Sequence, residues 1–340
     1  SYTDEMMANA KEFSDTAMVV ITRVGGEGAD LPTDVSKVTY TDNSTEYKDF
    51  EAGEHYLQLD RTERDMLDLV CSNFDNVIVV YNGANAMELG FINEYSQIKS
   101  AIWCPGTGQS GFEALGEIVA GTVNPSGKTS DTFVADLTAT PTWNNFGYFK
   151  YDNMDEYAYT SNNFKTGEEE TALPSFVNYV DGIYVGYRFY ETAAAEGLIN
   201  YDDTVVYPFG YGLSYTTFTQ EMGAISEDNG TISFDVTVTN TGDVAGKDVV
   251  EVYYNPPYTN GGIEKASANL IQFEKTEVLQ PGDSQTITVS FDAEDMASYD
   301  TYGAGCYVLE AGDYQISINS DSHNVIDSQT YTVASTVTYD

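Results

Sequence analysis

At about Tyr215 the hydrophobic pattern of the chain changes period, and no single pair of packed layers accommodates both halves. Upstream, short apolar runs alternate with stretches whose apolar residues recur at helical spacing. Downstream, apolar and polar residues alternate one by one. The switch predicts an α/β layer followed by an antiparallel β-sandwich, with domains over residues 1–215 and 216–335.

In the first part, Ala17-Met18-Val19-Val20-Ile21 is an uninterrupted apolar run, as expected of a parallel strand covered on both faces, and it leads into Gly25-Gly26-Glu27-Gly28. Thr62 with Asp65 three residues on predicts a helix start, and Met66, Leu67, Val70, Cys71 and Phe74 line one helical face. Val77 to Val80 and Ala101 to Cys104 predict two more buried strands. Phe112, Leu115, Ile118 and Val119 predict one face of a second helix. Strand, helix, strand, strand, helix implies a mainly parallel sheet flanked by helices. Residues 136–180, rich in Tyr, Asn and Glu and including Glu168-Glu169-Glu170, have neither period and read as a long surface loop, of a length that is usually functional or mobile.

In the second part, Ile232, Phe234, Val236 and Val238 alternate with polar residues, as do Val250, Val252 and Tyr254, then Ile287, Val289 and Phe291, then Tyr314, Ile316 and Ile318. Pro281-Gly282-Asp283 and Ala311-Gly312-Asp313 supply turns between them. Short strands so punctuated form a sandwich.

Composition limits the function. The 340 residues hold 41% hydrophobic residues, enough for sizeable cores, and 54 acidic against 14 basic residues give a formal charge of −40. Such a field repels phosphate backbones and anionic lipid, which excludes nucleic acid and membrane surfaces as partners. No apolar run reaches the roughly 18–20 residues of a membrane span. The first residues carry no basic-then-apolar leader, which predicts a soluble chain from which any export signal has gone. Cys71, Cys104 and Cys306 are odd in number and lack paired spacing, so neither a disulfide framework nor a zinc site is expected. His55 and His323 are far apart in sequence and read as surface residues, not metal ligands; no metal or cofactor is expected.

Four segments, in order, resemble glycoside hydrolase family 3, the β-glucosidase-like enzymes. They are Ile21-Thr22-Arg23-Val24-Gly25-Gly26-Glu27-Gly28, Cys104-Pro105-Gly106 running to Asn124-Pro125-Ser126-Gly127-Lys128, Asp181 to Arg188, and Tyr207-Pro208-Phe209-Gly210-Tyr211-Gly212-Leu213-Ser214-Tyr215-Thr216. Thr239-Asn240-Thr241-Gly242 through Gly246-Lys247 looks like the fibronectin type III-like domain that often follows, so the resemblance covers roughly residues 17–330. It implies the family's α/β-sandwich domain plus that fibronectin-like domain, with Glu27 matching the general acid/base on the Gly-Glu-Gly loop. The nucleophilic aspartate belongs to a (β/α)8 barrel for which this sequence shows no pattern. The resemblance thus implies a barrel elsewhere in the precursor or on a partner chain, and no glycoside hydrolysis by this chain alone. In some bacterial relatives the barrel follows the fibronectin-like domain. Ser1, which opens directly on a helical pattern, fits a piece of such a protein.

The residues support Glu27 independently, because a glycine-flanked loop at the carboxyl end of a parallel strand is where open α/β folds place their chemistry. A nucleotide loop does not fit, since the Gly-x-Gly-x-x-Gly spacing is absent and a carboxylate would repel pyrophosphate. Ala29 and Leu31 stand where many relatives have an aromatic and a basic residue, which implies an aglycone contact that is either different or missing. Arg23 and Trp143 are further candidates for substrate contact. Tyr184, Tyr187, Tyr190, Tyr207, Tyr211 and Tyr215 read as packing at the domain junction in preference to a sugar platform, and Trp103 as core.

The expected function is therefore one portion of an enzyme that hydrolyses β-glycosidic bonds with retention, acting on an oligosaccharide or β-glycoside. The alternative is a non-catalytic carbohydrate-binding or surface assembly module that reuses the fold. The acidic, Tyr- and Thr-rich composition with the fibronectin-like domain predicts an extracellular or cell-surface location, in a bacterium.

Overall fold

A computed structural model describes residues 2–25, 31–37, 49–145, 149–163 and 166–339. Helix α1 (Asp4–Phe13) is capped by Thr3, whose side chain accepts from the Met6 amide. Strand β1 (Thr16–Thr22), helix α2 (Arg61–Cys71), strands β2 (Asn76–Asn82) and β3 (Ile98–Trp103) and helix α3 (Phe112–Val119) follow. The three strands form one parallel sheet in the order β1-β2-β3, with Ala17 opposite Val77 and Val79 opposite Ala101. Helix α2 begins two residues earlier than Thr62 predicts. Asp60 accepts from the Glu63 amide at 2.8 Å while Glu63 accepts from the Asp60 amide at 3.0 Å, a reciprocal cap that Thr62 only supports by donating to Asp60. Leu67 and Cys71 of α2 then close a core with Val19, Ile21, Val77 and Val79. Burying a leucine as completely as Leu67 contributes about 2 kcal/mol.

Two expectations need correction here. The run Ala17–Ile21 is covered on one face only: Val19 and Ile21 are buried, whereas Met18 and Val20 are 45% and 48% exposed. An apolar run specifies a strand; what packs on each face depends on which elements lie nearby, and α2 lies on one side. Likewise α3 forms as its spacing predicts, yet none of its residues is buried.

The stretch 136–180 is not a featureless loop. It begins after the short strand β4 (Phe133–Val134) and holds helix α4 (Pro141–Asn145) and a hairpin of β5 (Tyr159–Asn162) and β6 (Glu169–Ala172). A bridge joins Phe149 to Phe176, on whose ring Tyr151 stacks at 4.4 Å. Elements of four or five residues are too short for either period to register in the sequence. Helices α5 (Tyr187–Ala195) and α6 (Tyr201–Thr204) and strand β7 (Val205–Tyr207), paired with β4, complete this part.

The remainder is antiparallel. Strands β8 (Phe218–Met222), β9 (Ser226–Asp228), β10 (Thr231–Asn240), β11 (Val249–Asn255), β12 (Asn269–Lys275), β13 (Ser284–Asp292), β14 (Ser298–Tyr299), β15 (Tyr307–Leu309), β16 (Gly312–Asn319), β17 (Val325–Val333) and β18 (Val337–Tyr339) follow in order. One sheet runs β13-β10-β8, with β9 beside β10, a second β12-β11-β16-β17, and a small third β14-β15-β18. The alternating residues Ile232, Phe234, Val236 and Val238 meet Val250, Val252, Ile316 and Ile318 in one core between the sheets. The fold is thus an α/β layer followed by a fibronectin III-like sandwich.

The two parts share a polar seam. Asn124 accepts from the Ser214 hydroxyl and the Tyr215 amide and donates to the Ala245 carbonyl. The hydroxyl of Tyr187 accepts from the Leu270 amide at 2.8 Å, and its ring stacks on Phe209 at 4.7 Å. Tyr184 bonds to Glu264, and Tyr215 donates to the Ile118 carbonyl. Tyr207 and Tyr211 lie 5.4 Å apart, and Tyr190 is buried. Trp103 packs edge-on to Phe133 at 5.0 Å and donates to the Gly83 carbonyl.

Candidate functional site at the carboxyl ends of the parallel strands

Parallel strands place the ends of β1, β2 and β3 side by side, and the loops leaving them form the candidate site. Asn82, ending β2, accepts the Arg23 amide on its carbonyl and donates from its side chain to the Cys104 carbonyl at 2.7 Å, joining all three exits. Gly25 lies so near Asn85 that a Cβ there would come within 2.8 Å of the Asn85 Oδ1. A side chain at position 25 would displace Asn85. Glu27 lies outside the described residues, between Gly25 and Leu31.

Arg23 is 6% exposed and has all five N–H donors engaged within the protein. Its Nε donates to the Tyr56 carbonyl at 2.5 Å. Nη1 donates to the Thr22 carbonyl and Glu63 Oε1, both at 2.7 Å, and Nη2 to the Gln58 carbonyl and Glu63 Oε2. The guanidinium also lies 5.3 Å from the centre of the Tyr56 ring. Burial disfavours its charge, but the hydrogen-bonded Glu63 carboxylate outweighs that and raises its pKa above the ordinary value. Arg23 was expected to contact substrate. With no donor left for a ligand, it holds the end of β1 against the 56–58 segment and the start of α2.

Trp143, in α4, is half-buried, its ring edge-on to His55 at 5.2 Å. Arg23 and Trp143 thus both reach the 55–58 segment, through neighbouring residues. His55 corrects the surface expectation: it is 4% exposed, its Nε2 lies 3.0 Å from Glu88 Oε1, and its Nδ1 accepts from the Leu57 amide. His323 is partly exposed but not isolated, with Nδ1 2.8 Å from Glu191 and its ring stacked on Tyr201 at 3.6 Å. Separation in sequence did not exclude partners brought in by the fold. Among the described residues, no group of three or more His, Cys, Asp or Glu could hold a metal ion, and no helix is long and apolar enough to cross a membrane.

Tyr56, Glu63 and Asn85 were not singled out as site residues from the sequence. Only Glu63 had a readable signal, since Asp60-x-x-Glu63 fits a capping box.

Residues 2–215 match the model of the glycosyl hydrolase family 3 C-terminal domain, and residues 248–322 that of a fibronectin type III-like domain. The chain belongs to glycosyl hydrolase family 3. It is 34% identical over 93% of its length to β-glucosidase A of Butyrivibrio fibrisolvens, and 31% identical over 98% to a β-glucosidase of Ruminococcus albus. It spans 37% and 30% of the length of those two proteins. Among solved structures, β-glucosidase 3B of Thermotoga neapolitana, in complex with glucose, superposes with a TM-score of 0.76 at 27% identity, over 99% of this chain and 40% of that one. A β-glucosidase of Paenibacillus barengoltzii gives 0.76 at 31%, over 99% and 32%. The strand ends described above therefore lie in the part of the chain that matches the family 3 C-terminal domain.

Proposed function

We propose that this chain is one portion of a retaining β-glycosidase in which Glu27 is the general acid/base and a (β/α)8 barrel, in the same precursor or on a partner chain, supplies the nucleophilic aspartate. The observation that carries the reading is the clamped end of β1: the Arg23 side chain is bonded to the Tyr56 carbonyl and Glu63 and the Val24 amide to the Tyr56 hydroxyl, just before the sequence Gly25-Gly26-Glu27-Gly28 that follows this parallel strand. Retention requires two carboxyl groups about 5–5.5 Å apart, one to attack the anomeric carbon and one to protonate the leaving oxygen, after which the same acid activates water. Apposed to the barrel's aspartate, Glu27 experiences like-charge repulsion and desolvation by the sugar, both of which raise its pKa and keep it protonated for the first step. The relatives named β-glucosidase favour a β-glucoside as substrate, and the barrel grips the sugar. Alone, the chain lacks a nucleophile and is inactive on glycosides.

The test is Glu27→Ala in the full-length protein. Turnover of a disaccharide with a poor leaving group falls by about 10²–10⁴, and azide restores turnover of the glycosyl-enzyme formed from an activated aryl glycoside. Unchanged rates on the disaccharide would send the search for the acid elsewhere. Native mass provides a second check: a species larger by roughly 250 residues or more carries a barrel, and a lone chain of this length points to the non-catalytic module.

A further inference from the structure

The backbone enters the 26–30 segment from Gly25 and leaves it at Leu31, and one residue is bonded to both stems. On the entering side, the Tyr56 carbonyl accepts from Arg23 Nε at 2.5 Å and its hydroxyl accepts from the Val24 amide at 3.2 Å. On the leaving side, the Tyr56 amide donates to the Pro32 carbonyl at 3.2 Å, and one turn on the Val35 amide donates to the Glu54 carbonyl at 2.8 Å. Tyr56 is 8% exposed, and its ring lies 5.3 Å from the Arg23 guanidinium and 6.1 Å from the Phe50 ring, which also faces Arg23 at 5.8 Å. Arg23 is in turn fixed by Glu63, and Glu63 by the cap of α2. The chain of contacts therefore runs from a helix terminus to both ends of the glycine-rich segment.

We infer that Tyr56 is a positioning residue for the acid/base loop, acting with Arg23 and Glu63 to fix the separation and direction of the two stems that carry Glu27. The inference rests on the assignment of Glu27 proposed above. A general acid must approach the leaving oxygen to about 2.6–3.2 Å, and a misplacement of about 1 Å can cost about 10²-fold in rate. A residue flanked by glycines gains little constraint from its chain neighbours, so fixed stems matter to where its carboxyl is held. Removing the hydroxyl of Tyr56 deletes its bond to the Val24 amide while keeping the ring and the bonds of the Tyr56 amide and carbonyl.

The experiment compares Tyr56→Phe, Arg23→Lys and Glu27→Ala in the full-length protein. It measures kcat/KM for a β-linked glucose disaccharide and for an activated aryl β-glucoside, with the active fraction counted from the burst of aryl release. Tyr56→Phe is expected to lower kcat/KM on the disaccharide by about 10-fold and Arg23→Lys by about 10²-fold. The aryl substrate, which needs no proton, should change by less than about 3-fold in both. A merely structural role would lower both substrates in the same proportion through the active fraction, and that result overturns the inference. Selectivity in Glu27→Ala without selectivity in Tyr56→Phe or Arg23→Lys overturns it too, leaving Glu27 in place. Loss of selectivity in Glu27→Ala itself removes the assignment, and the inference with it.

Discussion

Gly210 lies directly against the carboxylate of Glu251: a Cβ at position 210 would come within 2.2 Å of Glu251 Oε2, and Gly210 already has a φ of +81°. Glu251 belongs to β11 of the sandwich, and Gly210 to the stretch just before it, so this contact crosses the seam between the two parts. Gly210→Ala must both adopt a left-handed backbone and push a buried carboxylate aside. We expect a loss of about 3 kcal/mol, seen as a lower denaturation midpoint with an unchanged slope. A midpoint equal to wild type would show that the seam relaxes freely.

Glu251 is 4% exposed, and its carboxyl pKa is pushed up to about 7, first by burial. The hydrogen bond from Tyr253 and the charge of Lys128 oppose the shift, while Asp321 and Asp248 add to it. The folded state therefore holds this proton more tightly than the unfolded chain, whose ordinary value is 4.5. The resulting stabilisation is complete below about pH 4.5 and is lost as pH rises through about 7, a change on the order of 3 kcal/mol. Glu251→Gln should remain protonated in effect and lack this component. Melting temperatures of the two proteins should converge at acid pH and separate towards pH 8, with the variant higher. A constant difference across that range would assign the burial cost to something other than ionisation.

The Arg23–Glu63 ion pair is well buried, with side-chain exposures of 3% and 17%. Removing Glu63 leaves a guanidinium enclosed without its counter-charge, so Glu63→Ala should destabilise by about 3–5 kcal/mol. It also removes half of the α2 cap. The double variant Arg23→Met/Glu63→Leu should lose less than the sum of its single changes, because no stranded charge remains. Additive losses in a thermal-denaturation cycle would contradict the coupling.

We propose a boundary between the two parts at residues 215/216. A protein spanning 216–339 should fold on its own, since the sandwich core is closed by residues from β8 onward. Its circular dichroism should be that of β-structure. Substantial helix in that fragment would refute the division.

The periods of the sequence determined several of the longer strands and helices. Val77 to Val80, the face of α2 and the alternating residues of β10, β11, β13 and β16 follow from which side chains must leave water, and that requirement is written locally. The family resemblance offered Glu27 as a candidate from its motif; Glu27 lies outside the described residues.

Tertiary structure decided what each face meets. Sequence spacing cannot tell that Val20 is left half-exposed while Val19 is buried, because the difference lies in where α2 packs. It cannot tell that Arg23, next to the Gly-Glu-Gly motif, faces inward, since Glu63 is 40 residues away and Tyr56 is 33. His55 finds Glu88 and Glu251 meets Gly210 for the same reason: these partners are far apart along the chain and become neighbours only when sheet, helix and sandwich close together. Composition and periodicity act over a few residues, whereas hydrogen-bond geometry and desolvation act over a few ångströms in space, and only the folded chain relates the two.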